Sequence, residues 1–239
     1  MQNKYYSLLK HENVVDITIY GDIASEEWYN EESDVSSYKL SKELEKLENV
    51  DRINVYINSY GGEVAEGLAI YNALKRHPAK VYTYNDGFAA SIASVIFMAG
   101  DERIVSPASV IMIHNASLMV VGNAEDLRKQ ANDLDIITQA SINAYMENVN
   151  ISQDLLKKLM DEETWLSPER ALEYGFATTI AMDNTSSRAS QNTKKKLMNM
   201  ILENQVKEKE TIEQKNKEKE EYKSSLFMDF FSKLGGKND

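Results

Sequence analysis

The sequence contains no cysteine. That excludes disulfides, a thiol nucleophile, iron–sulfur clusters and cysteine-bound zinc. Histidine is almost as scarce. His11, His77 and His114 are the only three, so a metal centre built on several histidines would use most of them. His11-Glu12-Asn13-Val14-Val15 lacks the second histidine of a zinc-protease helix. The ten glycines form neither G-x-G-x-x-G nor G-x-x-x-x-G-K-[ST]. A dinucleotide fingerprint and a Walker loop are therefore absent, and neither a bound metal nor a cofactor is expected. Long apolar runs are missing too. The uncharged stretch Gly87–Gly100 is bounded by Asp86 and Asp101, short of the roughly 20 residues a bilayer requires. No apolar run follows Met1-Gln2-Asn3-Lys4, so no signal peptide and no membrane contact are expected, and the cytoplasm is the expected compartment. Basic charge is in deficit, with 27 Lys and Arg against 38 Asp and Glu and a net charge of −11. That argues against a nucleic-acid partner. An enzyme of nucleophilic type is left with serine or threonine.

The charge that is present divides the chain. Residues 1–185 carry 29 acidic and 15 basic side chains, and residues 186–239 carry 9 acidic and 12 basic. The polar run Asp183-Asn184-Thr185-Ser186-Ser187 separates them. A folded domain over 1–185 and a charged, helical or disordered C-terminal extension over 186–239 are expected. The extension ends in the apolar segment Leu226-Phe227-Met228-Asp229-Phe230-Phe231, which suits a docking segment or packing on the body equally well.

Within the body, strand and helix signals alternate. Val15–Tyr20, Ile53–Asn58, Val81–Tyr84 and Val110–Ile113 read as strands. Helices are expected over Glu63–Arg76, stopped by Pro78, and over the small-residue run Ala89–Ala99. A long helix over Ala124–Asn148 is capped by Asn123, with Leu127, Ala131, Leu134 and Ile137 on one face. Shorter helices follow over Ser152–Met160 and Pro168–Tyr174, the last ended by Gly175. The alternation specifies an α/β fold.

Three local features carry chemistry. Asn58-Ser59-Tyr60-Gly61-Gly62-Glu63 ends a strand in a glycine pair, which lets backbone N–H groups face a ligand. Alone, it fits an ordinary strand–helix turn. Gly87-Phe88-Ala89-Ala90-Ser91-Ile92 sets a serine at the head of a helix, where the next N–H can meet a developing oxyanion. Alone, Ser91 fits an N-cap. Met112-Ile113-His114-Asn115 brings a histidine out of an apolar strand end, a position a structural histidine also takes.

Together these segments, followed by Glu163-Thr164-Trp165-Leu166-Ser167 and Ala171-Leu172-Glu173-Tyr174-Gly175, resemble the Clp protease proteolytic subunit family. The match is closest to its phage-type branch, the head-maturation (prohead) proteases. The resemblance covers residues 15–180. It implies a ClpP/crotonase-like spiral fold in which Ala124–Asn148 is a handle helix, and assembly into homo-oligomeric rings, commonly heptameric and stacked. It assigns Ser91 as nucleophile, His114 as general base and Glu163 as the orienting acid, with Asp161 as runner-up. The N–H groups of Gly62 and Ile92 fall on the oxyanion donors. Gly61, Asn115 and Ser117 fall on the segments that pair with an extended polypeptide substrate. Tyr60 stands where the family usually has proline. The implied activity is serine endopeptidase cleavage of unfolded or scaffold and capsid proteins in phage head maturation, within the host cell's cytoplasm. The same catalyst also suits a general Clp-type protease fed by an AAA+ unfoldase. Two other readings are an acyl-CoA crotonase, disfavoured by the Ser91, His114 and Glu163 set, and a catalytically idle assembly factor.

Overall fold

A computed structural model describes residues 5–25 and 35–181 of the chain. The proposed C-terminal extension and its terminal apolar segment lie outside the described residues. Among the described residues fourteen elements follow in order: β1 (Tyr6–His11), β2 (Val14–Ile19), α1 (Ser37–Leu44), β3 (Arg52–Ser59), α2 (Val64–Arg76), β4 (Lys80–Ala90), α3 (Ile92–Phe97), β5 (Glu102–Val105), β6 (Val110–Ile113), α4 (Ala124–Met146), α5 (Gln153–Asp161), β7 (Thr164–Leu166), α6 (Pro168–Glu173) and β8 (Thr179–Ile180). The α/β class read from the pattern is the one observed.

Eight strands form one sheet in the order β1-β2-β3-β4-β5-β8, with β6 branching from β4 and β7 pairing with β6. The pairs from β2 through β5 are parallel. Alternate residues of the central strands, such as Val15, Ile17, Ile19, Ile53, Val55 and Ile57, are fully buried. Their β-branched side chains pack under α2 and α3, and removal of that apolar surface from water drives the fold. Gly67 brings α2 close to α3. A Cβ there would lie 2.1 Å from Ile92 Cγ1, so glycine sets the depth at which Ile92 packs.

Two expectations are corrected. The run Ala89–Ala99 is not one helix: Ala89 and Ala90 belong to β4, and α3 starts at Ile92. Small residues suit either state, and parallel pairing of Ala89 with Ile111 and Ala90 with Met112 decides for strand. On α4, Leu127 and Ile137 are exposed, and the buried residues Ser141, Ile142, Ala144 and Tyr145 all lie near its C-terminal end. Asn123 caps this helix as expected, in a capping box with Asp126. The strands β1, β5, β7 and β8 and the helix α1 carried no signal strong enough to be read.

The segment between α6 and β8 is tied down by one buried cation. Arg103 on β5 donates to the carbonyls of Phe176, Gly100 and Gly175 and to Asn148 Oδ1. Arg103→Met removes the donors and leaves buried carbonyls unpaired, so it should lower the unfolding free energy by about 3 kcal/mol. Urea denaturation checks this, and a loss below about 0.5 kcal/mol would mean the carbonyls find other partners.

Candidate active site

The site forms where β4 changes neighbours. One edge of β4 pairs with β5 over Tyr82–Asn85 and with β6 over Phe88–Ala90. The Ser91 N–H continues that ladder by donating to the Met112 carbonyl at 3.0 Å. Ser91 and His114 therefore leave adjacent strands at nearly the same level. Ser91 turns at φ 54° and ψ −130°, a backbone that L-residues rarely adopt. Its side chain makes no capping bond to α3. Instead Ser91 Oγ lies 2.7 Å from His114 Nε2. With the imidazole proton on Nδ1, the serine hydroxyl donates to Nε2.

The glycine turn is held against this bend. Ser59 Oγ donates to the Gly21 carbonyl at 2.7 Å and accepts from the Gly61 N–H at 3.1 Å. Gly61 has φ 105°, and a Cβ there would fall 2.7 Å from Ser91 Cβ and 3.2 Å from Ile92 N. Only glycine admits that approach. Gly62, at φ 145°, bridges to Ile23 in parallel fashion. The two bonds of that bridge use the Gly61 carbonyl and the Glu63 N–H, so the Gly62 N–H faces the opposite way. Tyr60, at the position where proline is usual, stacks on Phe88 at 5.0 Å, and Phe88 meets Trp165 edge-on at 5.7 Å.

Of the residues singled out from sequence, Gly62, Ser91, Ile92, His114, Asn115 and Ser117 line one small cavity of about 60 Å³. Gly61 packs directly behind it. The carboxylates are placed differently. The β6–β7 register ends with Ile113 paired to Thr164, so His114 and Glu163 are the residues just beyond the last pair, and Glu163 lies in a turn. Glu163 is exposed with φ 47°. Asp161 accepts a 2.8 Å bond from Asn115 Nδ2. Among the described residues, neither carboxylate is hydrogen-bonded to His114. The structure thus joins Ser91 to His114 and leaves the acid apart from them. Ser141 and Tyr145, also in the cavity wall, were missed from sequence. Their only signal was spacing, since i and i+4 positions share a helix face.

The Clp protease family model matches residues 16–184. The chain belongs to the Clp protease family. It is 36% identical over 141 residues to the ATP-dependent Clp protease proteolytic subunit of Deinococcus radiodurans, covering 58% of this chain and 69% of that one. It is 31% identical over 165 residues to the ATP-dependent Clp protease proteolytic subunit 1 of Streptomyces avermitilis, covering 66% and 76%. A third relative, the proteolytic subunit 1 of Corynebacterium jeikeium, is 34% identical over 130 residues, covering 54% and 69%.

The bridge beside the site gives a direct test. A Cβ on Gly62 would lie 2.0 Å from the Ile23 carbonyl oxygen. Gly62→Ala should break both bridge bonds and speed hydrogen exchange of the Ile23 and Glu63 amides by at least about tenfold, the equivalent of 1.4 kcal/mol. Unchanged exchange would show that the loop accommodates the methyl group.

Proposed function

We propose that the chain is a serine endopeptidase that hydrolyses peptide bonds of unfolded polypeptides. The observation that carries this is the 2.7 Å contact of Ser91 Oγ with His114 Nε2 in a cavity also lined by Gly62 and Ile92. Ser91 attacks the peptide carbonyl as His114 takes its proton. The N–H groups of Gly62 and Ile92 receive the oxyanion. His114 returns the proton to the leaving amine, and water then cleaves the acyl-enzyme by the same route. The carboxylate that orients His114 is Glu163 in this reading, supported by its position directly before β7, whose last pair with β6 is Thr164 with Ile113. Substrate lies extended between Gly61 and the segment holding Asn115 and Ser117. Backbone pairing of that kind favours broad sequence tolerance.

Several copies assemble into a ring, with the exposed apolar residues of α4, such as Leu127, Ile136 and Ile137, as contact surface. The relatives carry the name of ATP-dependent Clp proteolytic subunits, which favours a cytoplasmic protease supplied with substrate by a separate ATPase. The narrower setting, phage head maturation on scaffold or capsid proteins, is the second reading, favoured by the resemblance of the motifs to the phage-type branch and by the charged extension over 186–239.

A fluorophosphonate probe should modify Ser91 and no other serine. Ser91→Ala and His114→Ala should each lower peptide turnover by on the order of 10⁶. A wild-type protein that neither labels nor cleaves peptides, with or without a Clp ATPase, would overturn the reading in favour of a catalytically idle assembly factor. Glu163→Ala should cost on the order of 10⁴ in turnover, and Asp161→Ala much less. Initial rates on a fluorogenic peptide decide between them, and the reverse order would give the orienting role to Asp161.

A further inference from the structure

Behind the Ser91 bend lies a buried polar chain that the mechanism above does not use. Ser94 is fully buried and Tyr145 is 1% exposed. Ser94 Oγ donates to the Ser91 carbonyl at 2.5 Å, and the Ser94 N–H donates to the same oxygen at 3.0 Å. Ser94 Oγ also lies 2.7 Å from Tyr145 Oη. A serine hydroxyl has one proton, and here it goes to the carbonyl, which has none to give. The Tyr145 hydroxyl is therefore the donor to Ser94 Oγ. The chain has one direction: Tyr145 O–H to Ser94 Oγ–H to Ser91 C=O.

That carbonyl belongs to the peptide unit whose other end is the Ile92 N–H. The chain has no cis peptide bond among the described residues. In a trans unit the C=O and N–H point in opposite directions. Anchoring the Ser91 oxygen inward thus aims the Ile92 N–H outward, to the cavity side where Ser91 Oγ and His114 lie. Ile92 is the first residue of α3, so its N–H has no acceptor within the helix. Two donors on one carbonyl also polarise the amide and strengthen its N–H as a donor, because hydrogen bonds in series reinforce one another.

We propose that Ser94 and Tyr145 are positioning residues for the oxyanion donor, fixing and polarising the Ser91–Ile92 peptide from behind through a one-way hydrogen-bond chain. This rests on the reading of Ser91 as nucleophile and Ile92 as donor. Tyr145 also borders the cavity, but through the hydrogen-bond chain both residues act on the Ile92 N–H. Burial pushes the Tyr145 phenol above its ordinary range, which favours the protonated, donating form. Tyr145 is itself held by an edge contact with Phe176 at 5.6 Å. It sits near the C-terminal end of α4, so the orientation of the donor depends on where that helix packs.

The test uses the full chain with a short fluorogenic peptide and a peptide boronate, whose tetrahedral adduct on Ser91 places an oxygen where the oxyanion forms. Tyr145→Phe removes one hydroxyl and Ser94→Ala another, and neither adds an atom to the buried site. Active-site titration with fluorophosphonate corrects each rate for the fraction of folded enzyme. Complete loss of an oxyanion donor costs about 10²–10³ in kcat. Misaiming one should cost less, about tenfold in kcat for either variant, with KM within twofold. Boronate affinity should fall by the same factor as kcat. The double variant should be no worse than the more impaired single, because one chain is cut at two points. Wild-type kcat per titrated site in both single variants would overturn the proposal. So would a loss seen only in KM, or losses that multiply in the double variant. If the wild-type protein is not modified at Ser91, the failure is that of the serine-protease reading itself.

Discussion

Everything in the site depends on β4 running past the end of its pairing with β5 and continuing along β6. The three paired residues Phe88, Ala89 and Ala90, with the Ser91 N–H bonded to the Met112 carbonyl, bring the ends of two strands level. Ser91 then bends at positive φ and His114 leaves the neighbouring strand, and their side chains meet at 2.7 Å. Backbone ladders tolerate little slippage where one face is buried, because a one-residue shift exchanges the two faces. Here Ala89 and Ile111 are buried. The core that holds the register therefore also holds the reacting atoms in place.

Around that bend, small residues act by what they let come near. Gly61 packs on Ser91 and Ile92, Gly62 bridges to Ile23, and Gly67 lets α2 settle onto Ile92. Each position would bring a Cβ within 3 Å of a neighbouring atom. The outcome is a compact cluster in which two backbone turns share one small cavity with a serine and a histidine. A positive-φ serine costs on the order of 1–3 kcal/mol and persists only where the surroundings overdetermine it. The bonds that the Ser91 carbonyl accepts from Ser94, with the bond that the Gly61 N–H donates to Ser59 Oγ and the one that the Gly61 carbonyl accepts from Ile23, supply that determination. Membership of the Clp protease family accords with this construction.

The acidic member is set by a different and weaker part of the fold. Glu163 stands at the head of β7, a strand of three residues, at φ 47°. It lies directly beyond the last β6–β7 pair, Ile113 with Thr164. Asp161, at the end of α5, is bonded to Asn115. A short strand at the sheet's margin has few ladder bonds to hold it, so Glu163 is determined less firmly than the serine that follows β4.

By itself the sequence determined the α/β class, the strands over Ile53–Asn58 and Val110–Ile113, the helix α2 and the capped start of α4. Each rests on local periodicity or a capping residue that acts within a few positions. It also singled out Ser91, His114, Gly62 and Ile92, because those residue types stand where strands end. Only the tertiary structure decided that Ala89 and Ala90 are strand, since their small side chains are neutral and the pairing with β6 is long-range. Only it decided which part of α4 is buried, and that Ser94 and Tyr145, 51 positions apart, share a hydrogen bond behind the Ser91 bend. A hydrogen bond between distant segments leaves no periodic trace in either one. That is why Ser94 and Tyr145 were illegible, while the serine, histidine and glycine at strand ends were not.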